Sequence, residues 1–138
     1  MPHPIKTILI YWFPILLYCI LIFIQSAYPS PIKGVSIPHM DKLLHFGGYA
    51  FLGALIFRAI KNSISNAEIK TIMIISIVIS SFYGLTDELH QSFVASRSAD
   101  IMDFAADTAG SVFGVCIYYL VNTKITFYIQ TKSRTSYR

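Results

Sequence analysis

The sequence predicts an all-α fold: a polytopic membrane protein built as a four-transmembrane-helix bundle, with helices two to four forming the compact unit. Three observations predict it. Of 138 residues, 54% are hydrophobic and only 13% charged, where soluble domains carry about 25% charged residues. The charges fall between four long uncharged apolar runs. Six of the seven glycines (Gly47, Gly48, Gly53, Gly84, Gly110 and Gly114) lie in the last three runs, where small side chains let helices approach closely in lipid.

The first span, about residues 7–26, lies in a stretch with no charge between Lys6 and Lys33. That is ample for the roughly 20 residues a spanning helix needs. It holds Pro14, bulky side chains and no glycine, so it is expected to pack outside the compact unit. Lys6 ahead of an apolar run also suits a secretory signal. The run exceeds the roughly 7–15 residues of a signal core, and no clear A-x-A step follows, which favours a retained span. The next connection, "SAYPSPIKGVSIPHMDK", carries Pro29, Pro31 and Pro38 and is expected to be extended rather than helical.

The other spans, about 43–60, 70–88 and 103–122, offer only 15 or 16 residues between charged flanks, with His counted neutral. Sixteen residues rise about 24 Å, against roughly 30 Å of hydrocarbon. Each helix must therefore draw about a turn of its polar flank into the membrane. Charged groups at that depth must face one another and water. Residues 1–138 read as one domain, with 123–138 a basic cytoplasmic tail.

Positive charges set the orientation. Lys6, Arg58, Lys61, Lys70, Lys124, Lys132, Arg134 and Arg138 fall on one side, and only Lys33, Lys42 and Arg97 on the other. The positive-inside rule then puts both termini in the cytoplasm. Cys19 and Cys116 lie inside apolar runs and read as free buried thiols. The formal charge of +4 comes without a basic stripe interleaved with aromatics, so nucleic acid is not an expected partner.

Polar residues concentrate on the outer side. "DELHQSFVASRSADIMDFAAD", Asp87 to Asp107, holds five of the seven acids. Asp87 and Glu88 end the third span, where the helix dipole disfavours acids; a local rule broken without a local reason marks a candidate site. Gln91 shares a face with both. Asp100 and Asp103 suit an N-cap and an N3 acid. Asp107 lies past the first turn, beyond any capping role, and shares a face with Asp103, Gly110 and Gly114. At the start of the second span, Asp41, His45 and Tyr49 recur every four residues on one face, with Lys42 adjoining. Asp41 suits a cap or first-turn acid, whereas His45 sits one turn into an apolar helix. Arg97, the one arginine near these acids, is expected to pair with a carboxylate bidentately, or to reach headgroup phosphates.

From Asp87 to Asp107 the formal charge is −4. An outer pocket so acidic repels an anionic lipid unless protons or cations intervene. Glu88, Asp103 and Asp107 are candidate ligands for a hard divalent cation, Mg2+ or Ca2+, although no metal loop accompanies them. Zinc is less expected, since HExxH is absent and His45 and His90 alone would need further ligands. No G-x-S-x-G, P-loop or catalytic-cysteine signature occurs. His45, Asp87 and Glu88, with His90, are the candidates for proton transfer.

"DKLLHFGGYAFLG", followed by "TDELHQSFVASRSADIMDFAADTAGSVFG", resembles the VanZ-like family of small bacterial membrane proteins. The likeness covers about half the chain, Asp41 to Gly114, with Asp41, Lys42, His45, Phe46, Tyr49, Asp87, Glu88, Gln91, Phe93, Arg97, Asp103, Asp107 and Gly110 on matching positions. Where the family often has Pro-Gly, this chain has Ala95-Ser96, which puts a tight turn there in doubt. The resemblance implies a cell-envelope protein of the bacterial cytoplasmic membrane, of a family whose namesake is linked to teicoplanin resistance. Three functions compete. The outer residues bind a lipid headgroup or lipid-linked wall precursor; the chain is a membrane enzyme on such a substrate; or it is a small transporter. The last is disfavoured, because beyond the outer third the spans offer mainly Ser76, Ser80, Ser81 and tyrosines.

Overall fold

A computed structural model describes residues 4–28, 39–64, 66–95 and 97–136. Among them the chain is all-helical, with four helices long and apolar enough to cross a membrane. The first, α1, passes from an α turn at Pro4–Thr7 through a π-helical stretch at Ile8–Trp12 into an α-helix at Phe13–Ser26. Pro14 accounts for the π stretch: its ring has no N–H and crowds the carbonyl a turn back. The register loosens just before it, with Phe13 N–H donating to Ile8 O, five residues away. The proline-bearing connection of residues 29–38 lies outside the described residues.

The remaining helices are α2 at Met40–Ser63, α3 at Ile69–Gln91 and α4 at Ile101–Ser136. Helices α2 and α3, of 24 and 23 residues, rise about 35 Å at 1.5 Å per residue. They gain this length by incorporating charged flanks: Asp41 and Lys42 open α2, and Asp87 and Glu88 fall inside α3. Helix α4 continues through residues 123–136, so the described part of the basic tail is helical.

Helices α2, α3 and α4 form the compact unit, with α2 against α4 the most extensive pairing. Gly110 and Gly114 bring the two backbones into contact: a Cβ on either would run into the Phe46 or Ala50 carbonyl. Gly53 returns the contact, since a Cβ there would lie 2.9 Å from the Ser111 carbonyl oxygen. The GxxxG step therefore packs helices within one chain. Tyr49, Leu52, Ile56, Phe57, Ile60, Ile72 and Val115 fill the core. In lipid such burial has little hydrophobic driving force, so close packing and interhelical hydrogen bonds supply the specificity.

The last turns of α1 pack outside this unit, and Ser26 is the one residue of Phe13–Ser26 that is buried. Specific contacts fasten it along its length. Trp12 Nε1 donates to Ser63 Oγ at 3.0 Å, Arg58 lies 4.9 Å from the Tyr11 ring centroid, and Tyr83 Oη donates to the Cys19 carbonyl at 2.7 Å. Cys19 and Cys116 are free thiols, each partly buried.

Candidate functional site

The N-terminal ends of α2 and α4 and the C-terminal end of α3 converge on polar side chains that are buried although they sit in membrane-length helices. Asp87, Glu88, Gln91 and Asp103 are 3–8% exposed and Asp107 is fully buried. On α3 this face is legible as a stripe one turn apart, Ser76, Ser80, Gly84 and Glu88, all buried. Deeper in the bundle, Ser111 Oγ donates to Ser80 Oγ at 2.8 Å.

The two acids at the end of α3 have separate partners. Glu88 Oε2 accepts the backbone N–H of Asp100 at 2.8 Å, while Asp100 Oδ1 accepts the N–H of Met102 at 2.8 Å. Asp100 thus caps α4 as expected. The reciprocal acceptor of a capping box comes from Glu88 on another helix, and Asp103 is left free to turn inward. Asp87 accepts a short hydrogen bond from Ser26 Oγ of α1 and another, 3.1 Å, from Gln91 Nε2. It fastens α1 to the unit.

Lys42, rather than Arg97, pairs with Asp100 and Asp103 at the start of α4. Its Nζ lies 2.8 Å from both Asp100 Oδ2 and Asp103 Oδ1, and 3.0 Å from Asp41 Oδ2. The ammonium holds the Asp100 carboxyl below the usual carboxylate range, aided by the Met102 N–H. Asp41 stays at the exposed rim and is a first-turn acid; the N-cap position belongs to His39, in a left-handed conformation with φ 62°.

The expected Arg97–carboxylate pair is not among the contacts of the described residues. Arg97 Nε donates to Tyr28 O at 3.1 Å, Nη2 to Gln25 O at 3.3 Å, and Nη1 to Gln91 Oε1 at 3.4 Å. The physical reason is the end of α1: its last carbonyls lie at the negative pole of the helix dipole, where a cation is favoured. Lys42 already pairs with Asp100 and Asp103. The Ala95-Ser96 step lies partly outside the described residues.

His45 occupies the centre. Its Nδ1 is 2.9 Å from Asp107 Oδ1 and 3.9 Å from Glu88 Oε1, and its Nε2 is 4.0 Å from Asp103 Oδ2. The ring lies parallel to that of Tyr49, 6.5 Å between centroids. Glu88 Oε1, Asp107 Oδ2 and Tyr49 Oη are buried and find no hydrogen-bond partner among the described residues. His90 turns away and stacks on Phe23 of α1, 4.4 Å between centroids, so it takes no part in this cluster.

Two residues beyond the expected set matter. Gly84 makes room for Asp107, because a Cβ there would come within 2.8 Å of Asp107 Oδ2; its place on the α3 polar stripe was the available signal. Ser26, at the end of a long apolar run, gave no comparable signal. Beside His45 a cavity of about 70 Å3 opens between α1 and the compact unit, lined by Ser26, His45, Tyr49, Asp87, Gln91 and Arg97 among others. That is room for about two waters, or for one small polar group.

Residues 4–122 match the family model described as VanZ/LLP1. The chain belongs to the VanZ/LLP1 family. That match takes in the whole of the site and all of α1 from Pro4 onward. No curated protein and no solved structure shows significant similarity to this VanZ/LLP1 chain.

Proposed function

We propose that this VanZ/LLP1 chain is a cell-envelope protein of the bacterial cytoplasmic membrane with both termini inside. Its outward-facing polar site binds the headgroup of a membrane lipid or of a lipid-linked wall precursor. A precursor as ligand would connect the site to glycopeptide susceptibility, teicoplanin included.

The observation that carries this reading is the set of buried polar atoms left without partners, Glu88 Oε1, Asp107 Oδ2 and Tyr49 Oη. An unsatisfied buried polar group costs about 1–3 kcal/mol, which a pairing ligand would recover. Arg97 lines the adjoining cavity. Three of its N–H groups are engaged with protein acceptors, out of the five a guanidinium carries, so its fork can also meet a phosphate. Purified protein should retain lipid in native mass spectrometry, and Arg97→Gln should reduce the retained fraction at least about tenfold, a loss of ~1.4 kcal/mol. Equal retention by the variant would oppose the reading.

A second reading, a membrane enzyme acting on a lipid-linked substrate, is supported by the His45–Asp107 pair at 2.9 Å with Glu88 close by. An imidazole oriented by one carboxylate and faced by another is equipped for general acid–base chemistry. Turnover of lipid-linked substrates that Glu88→Gln abolishes would favour it over simple binding.

A further inference from the structure

We infer that His45, Glu88 and Asp107 form a binding site for one divalent transition ion, with zinc(II) the expected occupant. Each supplies one donor atom, and the three donors lie within 4.8 Å of one another. His45 Nδ1 is 2.9 Å from Asp107 Oδ1 and 3.9 Å from Glu88 Oε1. Ligands about 2.0–2.2 Å from a tetrahedral zinc stand roughly 3.4 Å apart. Side-chain movement of about an ångström would therefore close the three around an ion.

Other atoms of the cluster already hold these ligands. Glu88 is oriented through Oε2 by the Asp100 N–H at 2.8 Å, which leaves Oε1 for the ion. Asp107 is buried and its Oδ2 has no partner among the described residues. With Nδ1 on the metal, the imidazole proton sits on Nε2, which faces Asp103 Oδ2 at 4.0 Å, and Asp103 is held by Lys42 at 2.8 Å. A carboxylate that accepts the second imidazole N–H is the usual arrangement around such ions, and Asp103 would reach that N–H by moving about 1 Å closer. Tyr49 is buried with its ring parallel to the imidazole, 6.5 Å between centroids.

Charge points the same way. Glu88 and Asp107 are two buried carboxylates beside one imidazole, so even a protonated His45 leaves a net negative charge in a site where bare charge is costly. A divalent ion with neutral His45 brings the trio to zero. One nitrogen and two oxygen donors suit zinc or manganese better than calcium or magnesium, which prefer all-oxygen shells. With three protein ligands, a fourth position stays open. The inference deepens the headgroup reading and rests on it for the ion's role: the open position would take a phosphate oxygen that the surrounding acids otherwise repel.

The test uses the full-length, untagged protein in detergent, stripped with a chelator and dialysed against Zn2+, Mn2+, Mg2+ or Ca2+ alone. Bound metal is counted by elemental analysis, and affinity measured by calorimetry. The expected result is one Zn2+ per chain, with Mn2+ weaker, and at least about tenfold weaker zinc binding in His45→Gln, Glu88→Gln and Asp107→Asn. Asp41→Asn, at the exposed rim, should bind as the parent does. Circular dichroism confirms that each variant is folded; should an isosteric variant unfold, the Co2+-loaded parent supplies the reading, through the visible absorption of a tetrahedral nitrogen–oxygen site. Substoichiometric metal, zinc binding that survives all three substitutions, or preference for Mg2+ or Ca2+ would overturn the site. Metal binding without lipid retention would sink the headgroup reading and leave the ion site standing; lipid retention by protein that takes up none of the four ions would do the reverse.

Discussion

At the residue scale, Lys42 joins α2 to α4. It meets three carboxylates while remaining partly solvated, and its removal leaves Asp103, 11% exposed at the side chain, without a counter-charge. Breaking a buried pair costs 3–5 kcal/mol; with the solvent access here, about 1–3 kcal/mol is expected of Lys42→Met in thermal unfolding. Asp100 gives the matching pH dependence. Its carboxyl is held low in the folded state by Lys42, so its stabilising contribution is complete above the ordinary carboxyl pKa and fades as pH falls through the lowered value. In Lys42→Met the Asp100 midpoint, followed by carboxyl 13C NMR, should move upward toward that ordinary value; an unchanged midpoint would show that Lys42 does not set it. Asp100 as a cap, and the inward role of Asp107, were legible from spacing alone. The partners of Arg97 were not, because two of its three acceptors are main-chain carbonyls at and just past the end of α1, which carry no sequence signature.

At the element scale, close approach of α2 and α4 depends on Gly110 and Gly114. Any Cβ there meets the backbone of α2 at Phe46 or Ala50, and backbone cannot rotate aside. Overpacking of this kind costs roughly 1–3 kcal/mol, so Gly110→Ala and Gly114→Ala should each lower the midpoint of unfolding in detergent. Gly47→Ala, where a Cβ would meet nothing within 4 Å, is the control and should be neutral or slightly stabilising, as alanine favours helix. If all three behave alike, the helices are not in backbone contact. The compact unit of three glycine-bearing helices was legible in their composition, and so was the shortage of apolar length that draws Asp87 and Glu88 into α3. The π stretch of α1 follows from Pro14, though position and register emerge only in the fold. The trans-acting cap from Glu88 to Asp100 depends on how two helix ends meet, which no spacing within either segment reveals.

At the scale of the whole molecule, the distribution of polarity is the inverse of a soluble protein's. Large apolar side chains such as Leu16, Phe51, Val78, Phe82 and Leu120 face outward, while Asp87, Glu88, Gln91, Asp103 and Asp107 are enclosed. The end of the bundle that holds the site carries six acids, Asp41, Asp87, Glu88, Asp100, Asp103 and Asp107, against Lys42 and Arg97 among the described residues. Four of them, Asp87, Glu88, Asp103 and Asp107, are enclosed, and the proposed ligand would give Glu88 Oε1 and Asp107 Oδ2 the partners they lack among the described residues. The most direct measurement is an experimental structure in nanodiscs of native lipid. The proposal predicts headgroup density in the cavity between α1 and the compact unit, against His45 and Arg97. Side chains closed over an empty site, with every lipid confined to the apolar perimeter, would contradict it.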